Sequence, residues 1–288
     1  MDINKWVASY KGEEDKRFRK AMHLVLLAIS RDKNASHHLV LKGGIVMSLV
    51  YGGTRYTSDL DASSILSIDE LTPERLERDL SRNLVAAELD VGYGLAFKIH
   101  SVKPQPKMYE KAQYPAYKVK IGFAQQNNPS EMQRLANKQS ASTVDIDISF
   151  NEVITLDDTE CIELSEGRNI LCYSLAQIMG EKYRSLLQQP VRNRNRRQDV
   201  YDIHHLLTEY ADYFSKEEVK QDVLNKLKKC SEGKKIDKYL QKNGIDDEEV
   251  KAMALKDFET LELEIDINKI DPNIMFDEIS TYFQSLPW

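Results

Sequence analysis

Apolar residues recur with helical spacing over residues 14–30, where Phe18, Met22, Val25, Leu26 and Ile29 fall on one side and predict a first helix. A short apolar run, Leu39-Val40-Leu41, then predicts a strand, with His37 and His38 just ahead of it. Adjacent side chains on a strand point to opposite sides, so these two histidines do not readily chelate one ion. After Gly43-Gly44, residues 45–51 read as a short buried helix closed by Gly52-Gly53. Thr72-Pro73-Glu74 marks a further helix start, running to about Asp90. Alternation takes over in residues 95–102, 117–123 and 143–150, which predict strands, with Pro104, Pro106 and Pro115 marking the connection between the first two. Residues 127–140 are polar and read as a loop or short helix. In the last strand Val144, Ile146, Ile148 and Phe150 face one way, and Asp145, Asp147 and Ser149 the other. Taken alone, an exposed edge strand accounts for those acids equally well.

From Ser174 the pattern becomes helical. Ser174 is a good N-cap for a helix with Leu175, Ile178, Met179, Leu186 and Leu187 at its apolar positions, stopped by Pro190. A second helix starts near Arg196 and carries Val200, Ile203, His204, Leu206 and Leu207. Residues 215–288 are charged, with weaker helical periodicity at 223–227 and 274–283, and LELEIDI near Leu261 alternates like a short strand. These elements predict an α/β (α+β) chain. Residues 1–172 form a mixed sheet with flanking helices, its strands near Leu39, Asp59, Leu95, Tyr117 and Asp147; residues 173–288 form a mainly helical C-terminal domain.

Composition narrows the function classes. The chain has 288 residues, is 41% hydrophobic and 30% charged, and carries a formal net charge of −6, against generic coating of nucleic acid. A local basic groove remains open. Arg192, Arg194, Arg196 and Arg197 crowd one short stretch, PVRNRNRRQD, and read either as a solvated surface loop or as a patch for phosphate or RNA backbone. Cys161, Cys172 and Cys230 lie far apart and match neither a disulfide framework nor a zinc spacing, which points to a reducing compartment. The first twenty or so residues are charged where a secretory signal needs an apolar core, and the apolar run 22–29 is too short to span a bilayer. A cytoplasmic protein without membrane contact is expected.

The candidate chemistry starts in LVLKGGIVMSLVYGGTRYTSDLD, residues 39–61. On a strand, Asp59 and Asp61 share one face with Leu60 on the other, a platform for a hard divalent cation such as Mg²⁺. The glycine pair ahead of a helix start offers backbone N–H groups to an anion. A third strand carboxylate, Asp147, gains weight beside these two.

Three stretches together resemble the AbiEii/AbiGii toxin family of nucleotidyltransferases, within the polymerase-β-like superfamily. Lys42, Gly43 and Gly44 with Arg55, Thr57, Asp59 and Asp61 resemble its Lys-Gly-Gly and Arg-x-Ser/Thr-x-Asp-x-Asp signature. VDIDISFNEV is similar to the strand giving the superfamily's third carboxylate, which falls on Asp147. SLAQIMGEKYRSLLQQPVRNRNRRQDVYDIHHL resembles a Glu-Lys helix, a basic turn and an Asp-x-x-Asp helix, here Glu181, Lys182, Asp199 and Asp202. The match spans residues 39–207. One departure is Ile45, where the superfamily often has a Ser or Thr; phosphate binding then falls to the backbone N–H groups and Ser48.

The resemblance implies a nucleotidyltransferase-type sheet and two-metal chemistry with Mg²⁺ or Mn²⁺. Asp59, Asp61 and Asp147 would be the ligands, with an NTP as substrate and attack at the α-phosphate releasing pyrophosphate. It also implies that Asp147 accepts the proton of the attacking hydroxyl. Lys182 would contact the triphosphate, and Asp199 would partner Lys182. The blander accounts are a lysine that snorkels to solvent, an N-cap at Asp199, and Asp202 paired with an arginine such as Arg197. Arg55 orders the turn ahead of the metal strand or touches the nucleotide; His204 and His205 are expected to be packing or capping residues. The implied biology is a toxin restrained by an antitoxin and transferring nucleotides to an RNA acceptor, the 3′ end of tRNA. The alternatives are transfer to a small molecule such as an antibiotic, or a catalytically idle nucleotide-binding module.

Overall fold

The computed structural model describes residues 3–9, 12–109, 112–152, 154, 159–165, 167–263 and 271–288. The chain divides into two compact units, Met1–Val50 with Thr57–Cys172, and Tyr51–Tyr56 with Tyr173–Trp288.

Among the described residues the first unit is built on seven strands: β1 (Leu39–Lys42), β2 (Asp59–Ser64), β3 (Leu95–Gln105), β4 (Ala116–Gln125), β5 (Thr143–Ser149), β6 (Thr159–Ser165) and β7 (Arg168–Tyr173). Their order is β3-β4-β5-β2-β1-β7-β6. The sheet is mixed, because β2 runs parallel to β5 and β1 to β7, while β1–β2, β3–β4 and β4–β5 are antiparallel. Every second residue of the central strands is buried: Leu39, Leu41, Leu60, Ala62, Val119, Ile121, Ile146 and Ile148. That apolar face is what fixes the register, since a one-residue slip would turn it to water.

The helix Glu13–Arg31 packs on β5 and on the helix Pro73–Val91, which in turn covers β3. The first of these is buried all round between residues 21 and 29, wider than the one-sided stripe its spacing suggests. Thr72 caps the second through a hydrogen bond from the Arg75 N–H at 3.3 Å, and Gly92 ends it at a φ of 70°. Residues 129–136 form a short helix capped by Asn128. Three features differ from expectation. A helix Ile3–Ala8 precedes the first predicted one, β6 and β7 extend the sheet, and His37 and His38 close a short helix, Lys33–His38, before β1 begins.

The second unit is helical. Ser174 caps Leu175–Leu187 by accepting from the Gln177 N–H at 3.3 Å. That helix lies close against Glu217–Ser231 because residue 180 is glycine: a Cβ there would stand 2.9 Å from the Leu227 nitrogen. Arg197–Glu209 and Pro272–Gln284 pack on each other, and Tyr183, Phe214, Phe276 and Phe283 fill the core. Phe258–Leu263 is a 3-10 helix, so Leu261 does not start a strand; residues 264–267 of that predicted strand lie outside the described residues. Among the described residues no helix is long and apolar enough to cross a membrane.

Candidate active site

Strand register turns scattered charges into rows. Across β1, β2, β5 and β4, Lys42 pairs with Asp61, Asp61 with Asp147, and Asp147 with Lys118. One step along, Asp59 pairs with Asp145 and Asp145 with Lys120. Paired residues on neighbouring strands project to the same side, so all four aspartates share the face opposite Leu60, Ile146 and Ile148. The edge-strand explanation for Asp145 and Asp147 fails, because β5 is flanked by β4 and β2.

The electrostatics of this face are those of crowded carboxylates moderated by lysines. Burial pushes the Asp147 carboxyl up; Lys118 and Lys42 draw it down, Asp59 and Asp145 push it further up, and the net direction is upward. Lys118 Nζ stands 3.9 Å from Asp147 Oδ1, and Lys120 Nζ 3.9 Å from Asp145 Oδ1. Asp145 Oδ1 is buried without a hydrogen-bond partner. Thr57 donates its hydroxyl to Asp59 Oδ1 at 3.2 Å. Carboxylate oxygens are the donor set a hard divalent cation takes, so the residues fit Mg²⁺ or Mn²⁺ in kind. Among the described residues no three His, Cys, Asp or Glu side chains already converge on one ion position.

The glycine turn adjoins the carboxylates. Gly43 has a φ of 70°, and a Cβ there would approach Asp61 Cγ to 3.2 Å, so both backbone and space require glycine. Gly44 follows in the first turn of the helix Gly43–Leu49. Lys42, at its N-cap, turns its ammonium to Glu152 Oε2 at 2.5 Å and Ser149 Oγ at 3.3 Å, and Ser63 also donates to Glu152. Glu152 was not legible as a functional residue, since it lies beyond the end of β5 and outside any alternation. Ser48 departs from its expected place beside a phosphate. It is buried, accepts from Trp6 Nε1 at 3.0 Å and from Arg19 Nη2 at 3.4 Å, and serves the packing of the N-terminal helix. Ile45 is likewise buried in the core.

The Lys42–Glu152 pair is mostly shielded from water, with 15% and 22% of the side chains exposed. Glu152→Ala is therefore expected to destabilise the first unit by about 1.5–3 kcal/mol, the range for a charge-assisted hydrogen bond. Urea unfolding checks it, and a midpoint equal to wild type would show that Glu152 does not anchor Lys42.

In the second unit Lys182 sits between two carboxylates. Its ammonium donates to Asp199 Oδ1 at 3.0 Å and to Asp202 Oδ2 at 2.6 Å, and all three residues are buried. Burial works against the lysine charge, but Asp202 and Asp199 outweigh it and hold the Lys182 pKa above its usual value. Burial likewise works against the Asp199 charge, yet Lys182, Arg196 and Arg55 hold that carboxyl below its usual range. Lys182 thus does not snorkel. Asp199 is no N-cap, since Arg196 takes that position, and Asp202 pairs with Lys182 rather than Arg197. Arg55 completes the group: Nη2 lies 3.5 Å from Asp202 Oδ2, and Nη1 donates to the Tyr56 carbonyl at 3.2 Å. The network therefore ties segment 51–56 to the helix Arg197–Glu209.

The basic turn is ordered from beneath. Gln189 is buried; its Nε2 donates to the carbonyls of Leu186 and Val250 at 3.0 and 3.3 Å, and its Oε1 accepts from the Arg196 N–H at 2.7 Å. Asn193 turns the chain at a φ of 49°, and Arg192 and Arg194 are exposed. Partial burial, then Arg184, Arg196 and Arg194, press the Arg192 pKa downward, with Glu181 opposing. His204 pairs with Glu278 at 3.0 Å and His205 Nε2 meets the Tyr51 carbonyl at 2.9 Å, which are structural roles. In sum, Lys42, Asp59, Asp61 and Asp147 share one face of the first unit, and Arg55, Lys182, Asp199 and Asp202 form one cluster of the second.

Comparison with known proteins bears on the chain as a whole. A family model described as "Nucleotidyl transferase AbiEii toxin, Type IV TA system" matches residues 25–283. Comparison with curated proteins gives no match. Among solved structures, JHP933 from Helicobacter pylori is similar over 96% of this chain and 93% of its own, at 16% identity and a TM-score of 0.55. A putative nucleotidyltransferase from H. pylori is similar over 96% of this chain and 100% of its own, at 17% identity and a TM-score of 0.50. MenT4, a nucleotidyltransferase toxin from Mycobacterium tuberculosis H37Rv, aligns over 99% and 97% at 15% identity, with a TM-score of 0.45. The two H. pylori likenesses show a shared fold.

Proposed function

The chain belongs to the AbiEii nucleotidyltransferase toxin family, and from that premise we propose that it moves nucleotides from an NTP to an RNA acceptor, the 3′ end of tRNA, with divalent-metal assistance. Family membership makes it a toxin-type nucleotidyltransferase that takes an NTP and has an antitoxin as partner. The observation that carries the finer reading is the row Asp61–Asp147 with Asp59 on the same face, beside a glycine that permits close backbone approach.

In this reading Asp59, Asp61 and Asp147 hold Mg²⁺ or Mn²⁺, which supplies charge neutralisation at the triphosphate. The N–H groups of Gly43 and Gly44 and the ammonium of Lys42 bind phosphate oxygens. Asp147, with its carboxyl pushed up by burial and by Asp59 and Asp145, accepts the proton of the acceptor hydroxyl, a role suited to a base of raised pKa. That hydroxyl oxygen bonds to the α-phosphorus as the bond to the bridging oxygen breaks, and pyrophosphate leaves. Lys182 and Asp199, buried against each other, act as positioning residues that fix Arg55 through Asp202; this replaces a direct triphosphate contact for Lys182. Arg192, Arg194, Arg196 and Arg197 contact the RNA backbone.

Purified protein with labelled NTPs, Mg²⁺ and total RNA should transfer label to RNA. Charge reversal of the four arginines should abolish transfer to RNA. No transfer to RNA from any NTP would count against the RNA reading, and transfer that survives this reversal unchanged would remove the arginines from the RNA contact.

A further inference from the structure

The open face of the sheet carries more positive charge than the carboxylate rows account for. On β3 the residues projecting to the same side as Lys118 and Lys120 are Lys98, Ser101 and Lys103, which pair with Gly122, Lys120 and Lys118. A bulge between Ile99 and Ser101 brings in His100, whose ring lies where a Cβ on Gly122 would go. The rows therefore extend to the sheet edge as Lys103–Lys118–Asp147–Asp61–Lys42 and Ser101–Lys120–Asp145–Asp59. Lys138 adds to the same field, since after burial it joins Lys120 and Lys98 in pressing the His100 pKa down. Such a concentration of lysine on two strands stands out in a chain with a net charge of −6.

Two simpler accounts fall short. Lys118 and Lys120 do oppose Asp147 and Asp145, but at 3.9 Å and with 44% and 46% of the side chains exposed they are weak pairs. Edge lysines discourage strand-to-strand aggregation, and β3 is an edge, but β4 is interior. Lys98 is engaged by the Ala136 carbonyl at 2.6 Å, and Lys138 by Glu77 at 3.7 Å. That leaves Lys103, Lys118 and Lys120 as an exposed group leading to Asp147.

We propose that the β3–β4 face, through Lys103, Lys118 and Lys120, is a track for the phosphodiester backbone of the RNA acceptor, running up to the carboxylate row. Side chains there stand about 5 Å apart across strands and about 7 Å apart along them, a grid of hydrated point charges suited to successive phosphates and indifferent to base sequence. The inference rests on the RNA reading and adds a surface on the first unit.

The test uses the full chain, the variant Lys103→Glu, the double variant Lys103→Gln with Lys120→Gln, and fluorescein-labelled total tRNA. Anisotropy in EDTA is followed from about 50 to about 200 mM salt. The double variant should bind about ten-fold more weakly, and its plot of log affinity against log salt should be shallower by about 1.4, or ~0.7 for each lysine. Lys103→Glu should weaken binding in the same direction while the KM for NTP stays at the wild-type value. A rise in that KM instead would assign the lysines to the triphosphate and overturn the track. So would unchanged tRNA affinity and slope. Polyglutamate that binds wild type as tightly as tRNA, with the same loss in the double variant, would mark a surface for an acidic protein and overturn it too. Wild type that binds tRNA with unaltered variants removes the track alone; wild type that neither binds nor labels tRNA removes the RNA reading beneath it.

Discussion

Asp61→Asn is expected to lower nucleotide transfer by about two to three orders of magnitude, the scale for losing one preorganised electrostatic group at a transition state. Its folding stability should change little. Asp61 sits in a row with Asp147 and beside Lys42, on the face away from the apolar core, so the substitution removes a charge without opening a cavity. Asp147→Asn should match it in effect, since a base and a ligand are lost together. Asp145→Asn is the internal comparison: same strand, same face, paired with Asp59, but outside the expected ligand set. It should retain transfer within about ten-fold, well short of the loss of a preorganised group. Pyrophosphate release at saturating Mg²⁺, with thermal melts on each variant, reads all three. Transfer by Asp61→Asn within about ten-fold of wild type would remove the carboxylate row from the chemistry.

How much of this was legible follows from how local each feature is. The alternation of residues 143–149 was readable because a half-buried strand writes its period into the sequence. That Asp61 stands beside Asp147 was not, because parallel pairing of β2 with β5 is a long-range contact that no short window contains. Lys118 and Lys120 lie in a run that alternates like any other strand, and only the order β4-β5-β2 makes them neighbours of the carboxylates. Ser48 shows how one omission spreads. The helix Ile3–Ala8 is too short for its spacing to declare it, and without Trp6 a hydroxyl near Gly44 looks free for a phosphate. β6, reading TECIELS at the far edge of the sheet, alternates too many charges with its apolar residues to resemble the buried strands. Lys182 was visible as a lysine on an apolar helix face. Its second partner, Asp202, needed the actual rotation of the helix Arg197–Glu209.

Lys182→Met is expected to destabilise the helical unit by about 3–5 kcal/mol, the range for stripping one partner from a buried ion pair. Met keeps most of the side-chain volume, so the loss reflects two carboxylates left without their cation rather than a void. Asp199 Oδ2 already lacks a hydrogen-bond partner, and Asp202 is 2% exposed, so water offers little compensation. Combining Lys182→Met with Asp199→Asn and Asp202→Asn should recover much of the loss, because neutral amides need no cation. The pH dependence separates this from simple mispacking. In wild type the Asp199 carboxyl is held below its usual value of 3.8, so its contribution is present above that value and is lost as pH falls through the folded pKa. The Lys182 ammonium is held above its usual 10.5, so its contribution is present below that value and is lost as pH rises through the folded pKa. At neutral pH both contributions are therefore intact. In Lys182→Met burial still works against the Asp199 charge while only Arg196 and Arg55 remain to oppose it, so protonation of Asp199 on acidification relieves the variant. The gap between wild type and variant in urea unfolding should narrow from pH 7 to about pH 4, near the ordinary carboxylate range. A gap of the same size at both pH values, or none at pH 7, would mean that the buried charges are not what Lys182 holds in place.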